Sequence, residues 1–228
     1  MKRIHVRRLQ PGDSLEDLTA LLHRAFGPLG RMGLACACVD QSLEVTRSRI
    51  ARGECFVALA DDRLVGTLTI ERPDRRSECA LYRRPDVASV HQFAVEPLAQ
   101  GLGCGDALLQ FAQRWALEQG YSELALDTPS LATHLLAYYE RHGFRPMAQL
   151  QKAGRRYGST VLAKTLARHP AVASLWDSPH RRLGLAAFER DAQRGHTRSP
   201  NASIDEHQRH RRLQAKSFSL WRRTAAAS

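Results

Sequence analysis

Three glycines at alternate positions, in Gln100-Gly101-Leu102-Gly103-Cys104-Gly105, lie between a strand-like run at 89–95 and a helical run that begins near Asp106. Glycine loses more backbone entropy on folding than any other residue, so such a cluster signals a sharp turn or a close backbone approach. At a helix start, bare N–H groups and the positive end of the dipole together bind phosphate oxygens. The loop therefore reads as a pyrophosphate cradle. Its spacing excludes two common owners. A dinucleotide fingerprint counted from Gly101 meets Asp106 at its last glycine, and counted from Gly103 it meets Leu108. The Gly-Lys-Ser/Thr of a P-loop is absent. What remains is Gln-x-x-Gly-x-Gly, against the plainer reading of a ligand-free turn.

Other residues suited to chemistry flank the loop. His91, on the strand that enters it, has the intrinsic pKa of a physiological base, although a histidine in a strand is often structural. Glu71, at the end of the preceding strand, is the alternative base. Tyr138 and Tyr139 are adjacent on a helix and point about 100° apart, so they cannot share one task. Cys104 reads as a small apolar filler. Asp127 and Thr128 end a short strand, the first read as structural and the second as a hydrogen-bonding group. Arg72, Arg75, Arg76, Arg83 and Arg84 crowd one polar segment and could meet an anionic acceptor or only solvent.

The elements that must carry these groups are legible in outline. A strand at 2–9 ends at Gln10-Pro11-Gly12-Asp13. Ser14 caps an amphipathic helix with apolar positions Leu15, Leu18, Leu21, Leu22, Ala25 and Phe26, which Gly27-Pro28 should stop. A helix at 41–51, a hairpin of 55–60 with 64–70, and a loop at 72–88 follow. After the 89–95 strand and the glycine loop comes a helix with Ala107, Leu108, Phe111, Ala112 and Trp115 on one stripe, capped at Gly120. A strand at 124–126, a helix at 131–142, and strands at 147–151 and 160–166 complete the order β-α-α-β-β-β-α-β-α-β-β. The central β-α-β crossover requires parallel strands and the hairpins antiparallel ones, so the sheet is mixed.

The loop motif, together with Tyr138-Tyr139-Glu140-Arg141-His142-Gly143-Phe144-Arg145 one strand and one helix later, resembles the GNAT superfamily of acyl-CoA-dependent N-acyltransferases. The element order is similar too, over about residues 3–166. The resemblance implies an α/β (α+β) fold, a mixed and mostly antiparallel central sheet with helices on both faces. It implies acetyl-CoA as co-substrate and no metal. The backbone of Phe93, Ala94 and Val95 would meet the pantetheine arm, and Gln100, Gly101, Leu102, Gly103, Cys104, Gly105 and Asp106 would wrap the pyrophosphate. Thr128 would bond the pantetheine. Tyr139 would be the general acid on the departing sulfur, and His91 or Glu71 would relieve the amine of its proton. The reaction expected is direct acetyl transfer in a ternary complex to a primary amine, first of a small molecule. A protein α-amino group or lysine is the alternative acceptor. A non-catalytic acyl-CoA-binding or nucleic-acid-associated protein is the alternative of another class.

Composition bounds the rest. The chain has 228 residues, 43 % of them hydrophobic, and a formal net charge of +11. No apolar run approaches the roughly 18 residues of a membrane span, and the start of the chain lacks the apolar stretch of a signal peptide, so a cytoplasmic protein is expected. Five cysteines in such a chain read as free thiols, and Cys36-Ala37-Cys38 does not have the spacing of a common zinc site. Residues 1–168 read as the acetyltransferase domain. Residues 169–228 hold 11 of the 34 Lys and Arg against 5 of the 23 Asp and Glu, and read as a basic, Pro-interrupted, poorly packed tail with helical segments. Nucleic acid is not the expected partner and would be bound only through that tail, a homodimer is compatible with the fold, and no membrane partner is expected.

Overall fold

The structure is a computed structural model, and it describes residues 4–152 and 154–167. The tail at 169–228 and its expected helical segments lie outside the described residues. Seven strands, β1 (Ile4–Arg8), β2 (Gly53–Ala60), β3 (Arg63–Glu71), β4 (Val87–Val95), β5 (Glu123–Pro129), β6 (Arg145–Leu150) and β7 (Ser159–Thr165), form one sheet in the order β1-β2-β3-β4-β5-β7-β6. Among these neighbours only β4 and β5 are parallel. Four helices complete the unit: α1 (Leu15–Arg31), α2 (Leu43–Ile50), α3 (Cys104–Glu118) and α4 (Thr133–Arg141).

Both faces of the sheet are covered, as the element order predicts. On one face the α3 side chains Leu108, Leu109, Ala112, Trp115 and Ala116 pack against Phe56, Leu68, Ile70, Val90 and Leu124. Phe56 and Phe111 bring their ring centroids to 4.8 Å. Tyr139 and Phe144 close the same core from α4 and its exit. On the other face Leu21 and Leu22 of α1 pack on Ala94, with Cys38 beside them. The sheet thus has one helix pair behind the cofactor-type loop and another over the opposite surface, and β4 serves both cores.

Local chemistry sets the helix starts. The Ser14 side chain accepts a hydrogen bond from the Asp17 N–H at 3.0 Å, and that of Ser42 accepts from the Val45 N–H at 3.3 Å. The stop expected at Gly27-Pro28 does not hold, because α1 runs on to Arg31 with Pro28 inside it. Proline lacks the N–H that would bond back to Arg24, a loss normally sufficient to end a helix. Here the last turn is held from outside: Leu29 is buried with Leu34, Ala132 and Tyr157. The segment 72–88 is also more than a loop. It carries a short 3-10 turn at Leu81–Arg83 that buries Tyr82. No helix among the described residues is long and apolar enough to cross a membrane.

Leu108 is fully buried at the contact of α3 with the sheet. Leu108→Ala is expected to lower the unfolding free energy by roughly 3 kcal/mol, measured by urea denaturation.

Candidate active site

β4 and β5 pair from Val87↔Glu123 to Val90↔Leu126 and then part. β5 stays with β7 as far as Pro129↔Ser159, so it is β4 that bends away. The bend is a bulge. Thr67 faces Ala94 but Thr69 faces His91, leaving two residues of β4 opposite Leu68. Gln92 takes the strain, with φ at 49°. The result is a wedge between the ends of the two strands that opens into a cavity of about 640 Å³.

One end of the cavity belongs to the glycine loop. Gln100, Gly101, Gly103, Gly105 and Asp106 line it, with Phe93, Ala94 and Val95 of β4 and Thr128 of β5. Leu102 is turned outward at 65 % exposure, and the Cys104 side chain is buried in the α3 core, where burial pushes its thiol up to about 11. The glycines serve two purposes. Gly101 and Gly103 have φ of 76° and 82°, and Gly103 caps α3 in the left-handed region, costly for any residue with a Cβ. Gly105 is a matter of space, because a Cβ there would lie 2.6 Å from the Tyr138 hydroxyl. The helix itself begins at Cys104, two residues before the position expected from the sequence.

Asp106 is kept from repelling an anion at this helix start. Its Oδ1 accepts from the Tyr138 hydroxyl at 3.1 Å and lies 3.0 Å from His142 Nε2. The carboxylate is thereby held by α4 side chains. The free N–H groups of the first turn remain. Tyr139 points the other way. Its side chain is 7 % exposed, its hydroxyl makes no hydrogen bond to any described residue, and it lines the cavity. Burial pushes the phenol well above its ordinary value, so it holds its proton at every physiological pH.

The other end of the cavity lies on the α1 face. Phe26, Leu29, Cys36, Cys38, Arg49, His91, Asp127, Lys152 and Arg155 line it. His91 Nε2 is 2.9 Å from Ser89 Oγ and 3.9 Å from Glu71 Oε2. Burial lowers the imidazole below the usual 6.5, more than the carboxylates of Glu71 and Asp127 restore, so the ring is neutral at pH 7. Glu71 does not line the cavity. It stands behind His91 and pairs with Arg52 at 3.5 Å.

Two further features have no signal in the sequence. Tyr82 packs its ring against His91 with centroids 5.7 Å apart and donates to Asp127 Oδ1 at 3.1 Å. A lone aromatic in an arginine-rich segment has no periodic neighbour to mark it as buried. Lys152 Nζ lies 2.6 Å from Asp127 Oδ2. Burial raises the Asp127 carboxyl, but Lys152, His91 and Tyr82 together hold it below the usual range. Among the described residues no group of three or more His, Cys, Asp or Glu is placed to hold a metal. The arginines at 72–84 do not line the cavity. Arg84, for one, is engaged with Asp86 and Glu123. The arginine and lysine side chains that line the cavity are Arg49, Lys152 and Arg155, with Arg141 from α4.

A mixed sheet splayed at its only parallel pair, with a glycine-capped helix at the split, defines the N-acetyltransferase class of fold. The model of the acetyltransferase (GNAT) family matches residues 19–144, and the chain belongs to that family. It is an acyltransferase. It is 27% identical over 164 residues to the S-(2-succino)cysteine N-acetyltransferase of Bacillus subtilis, covering 71% of this chain and 96% of that one. It is 30% identical over 141 residues to human N-acetyltransferase 8B, covering 60% of this chain and 58% of that one. Among solved structures, the ribosomal-protein-S18-alanine N-acetyltransferase of Escherichia coli superposes with a TM-score of 0.56 at 18% identity, over 73% of this chain and 96% of that one. A Bacillus subtilis acetyltransferase in complex with CoA superposes with a TM-score of 0.54 at 21% identity, over 72% of this chain and all of that one.

The Asp127–Lys152 pair sets a pH dependence. A carboxyl with a lowered folded pKa contributes stability that is present above about pH 4 and lost as pH falls through the folded value. Lys152→Met leaves the buried carboxylate without its cation and is expected to cost about 1–3 kcal/mol at pH 7. The deficit relative to the parent protein should shrink as pH falls toward 3, read by urea unfolding at several pH values.

Proposed function

We propose that this protein acetylates the primary amine of a small molecule, with acetyl-CoA as donor, by direct transfer inside the cavity between β4 and β5. The observation that carries the reading is the juxtaposition along that cavity of three groups: the glycine-capped start of α3, the unpartnered hydroxyl of Tyr139, and the neutral imidazole of His91.

The residues present fit acetyl-CoA. Beyond Val90 the strand leaves β5, so the β5-facing edge of Phe93–Val95 is open, and its backbone groups suit an amide-bearing arm laid along β4 like an added strand. The amides of Gly101–Asp106 suit a pyrophosphate, with Asp106 held aside by Tyr138 and His142. Thr128 on the facing strand offers a hydroxyl. Acetyl-CoA supplies the acetyl group as a reactive thioester.

The remaining chemistry falls to the chain. An amine attacks only when neutral, and His91 is free to accept its proton because burial keeps the ring unprotonated. Glu71, 3.9 Å away, stabilises the imidazolium that forms. Tyr139 keeps its proton on Oη and presents it to the sulfur as the thiolate leaves, which suits a phenol with a raised pKa better than a carboxylic acid that would already be ionised. Tyr138 is spoken for by Asp106, so the two neighbouring tyrosines have separate work.

A small acceptor is supported by the shape of the site. The acceptor end is a walled part of the cavity, under the last turn of α1 and the segment around Cys36 and Cys38. The relative named as an N-acetyltransferase of S-(2-succino)cysteine, a small amine, is consistent with this. Release of free thiol from acetyl-CoA against a panel of small amines and N-terminal peptides tests the reading. Turnover of peptides alone would favour a protein acceptor, and acetyl-CoA binding without turnover would favour a non-catalytic role.

Tyr139→Phe should lower kcat by roughly 10²-fold with little change in CoA affinity. His91→Gln should lower kcat/KM by about 10²-fold, and the acid limb of the parent profile should have its midpoint below 6.5. Gly105→Ala should weaken CoA binding about tenfold through Tyr138, a loss that Tyr138→Phe in the same chain partly restores, measured by calorimetry.

A further inference from the structure

The acceptor end of the cavity is rich in donors and short of acceptors. Arg49 reaches in from α2, held by Gln41 Oε1 at 2.8 Å and the Cys38 sulfur at 3.1 Å, and no described carboxylate pairs with it. Arg155 comes from the segment before β7 and lies over the Tyr157 ring at 5.7 Å, again without a described carboxylate partner. Both guanidinium groups act on the Cys36 thiol. With a hydrogen bond from Cys38 as the larger cause, they bring it down to about 6. The two cations line the same cavity as Cys36 although they come from distant parts of the chain.

A third donor points to the same need. Gln92, 5 % exposed on the cavity wall, has its Nε2 buried without any hydrogen-bond partner. A buried donor left unpaired costs about 1–3 kcal/mol, so a ligand that satisfies it is favoured. Among the described residues Asp127 is the carboxylate lining this end, and it is already neutralised by Lys152 and hydrogen-bonded by Tyr82. The site thus carries a surplus of positive charge where the acceptor must sit.

We propose that the acceptor is a carboxylate-bearing amine whose carboxylate is held by Arg49 and Arg155, with the Gln92 side-chain amide as an additional donor, while its amino group faces His91. The inference rests on the reading of this cavity as an acetyl-transfer site. It narrows the substrate class from amines in general to amino acids and related anionic amines. Planar guanidinium forks suit such a carboxylate by bidentate pairing. Cys36 then serves as a reporter of occupancy, being half-buried in the same wall.

The test uses the full-length protein with matched acceptors: amino acids, each compared with its amide and its decarboxylated amine. The expected result is a kcat/KM at least tenfold higher for the carboxylate form, and slower alkylation of Cys36 by iodoacetamide when that form is present. Arg49→Gln and Arg155→Gln should each raise KM for the carboxylate about tenfold and draw the ratio of the matched pair toward one. Arg49→Lys, which keeps the charge, should retain part of the ratio, and Arg155→Glu should turn the preference toward neutral amines. Equal kcat/KM for carboxylate and neutral partners overturns the proposal and leaves acetyl transfer to amines standing. So does an Arg variant that lowers both partners equally. Acetyl-CoA binding with no amine acetylated at all overturns the acetyl-transfer reading, and the proposal with it.

Discussion

β4 and β5 hold together for four residue pairs and then separate, and the site depends on that parting. Two parallel strands pulled apart leave backbone N–H and C=O groups that water or a ligand must satisfy. The bulge at Gln92 directs β4 away, while the antiparallel ladder with β7 keeps β5 in place. Everything that makes the cavity useful sits on the rim of this wedge. The glycine loop follows the free end of β4, Thr128 lies on the free end of β5, and Tyr139 comes from the helix that β5 leads into. A sheet that closed at this point would leave no room for a donor and an acceptor to meet.

The cost of opening the sheet is distributed rather than borne at one residue. Gln92 accepts a left-handed backbone and an unpaired amide. The cores on either side hold it there, because Val90 is packed under α3 and Ala94 under α1. The ends of β4 are thus clamped by different helices, and the strain is over-determined by packing.

Charge follows the same division. Each carboxylate that lines the cavity is engaged by neighbouring side chains, Asp106 by Tyr138 and His142 and Asp127 by Lys152 and Tyr82. The donor end is left with helix-start amides and the acceptor end with guanidinium groups. A polyanionic donor and the anionic acceptor proposed above would then share one cavity without meeting an unpaired carboxylate. His91 belongs to the α1-face end, kept neutral by burial, with Glu71 behind it rather than in the cavity.

What could be read without coordinates was local. Gln100–Gly105 specifies its own turn, because φ near +80° at Gly101 and Gly103 is a property of those residues. The α3 stripe and the Ser14 cap likewise act within a few residues, and the order of strands and helices limits the sheet to a mixed one. Tyr139 was legible only through its segment's resemblance to a family. The remainder was decided by contacts between residues far apart in the chain. Pro28 stays in α1 because Leu29 is buried against Ala132 and Tyr157. Tyr82 matters because it reaches Asp127, 45 positions on. Arg49 and Arg155 share a site although no spacing in the chain links them, while the conspicuous arginines at 72–84 lie off the cavity. Backbone conformation and helix periodicity are written in neighbouring residues. The charge, burial and partners of an acceptor pocket arise only when separate elements pack together, so the sequence determined the donor loop and the tertiary structure alone decided what faces the acceptor.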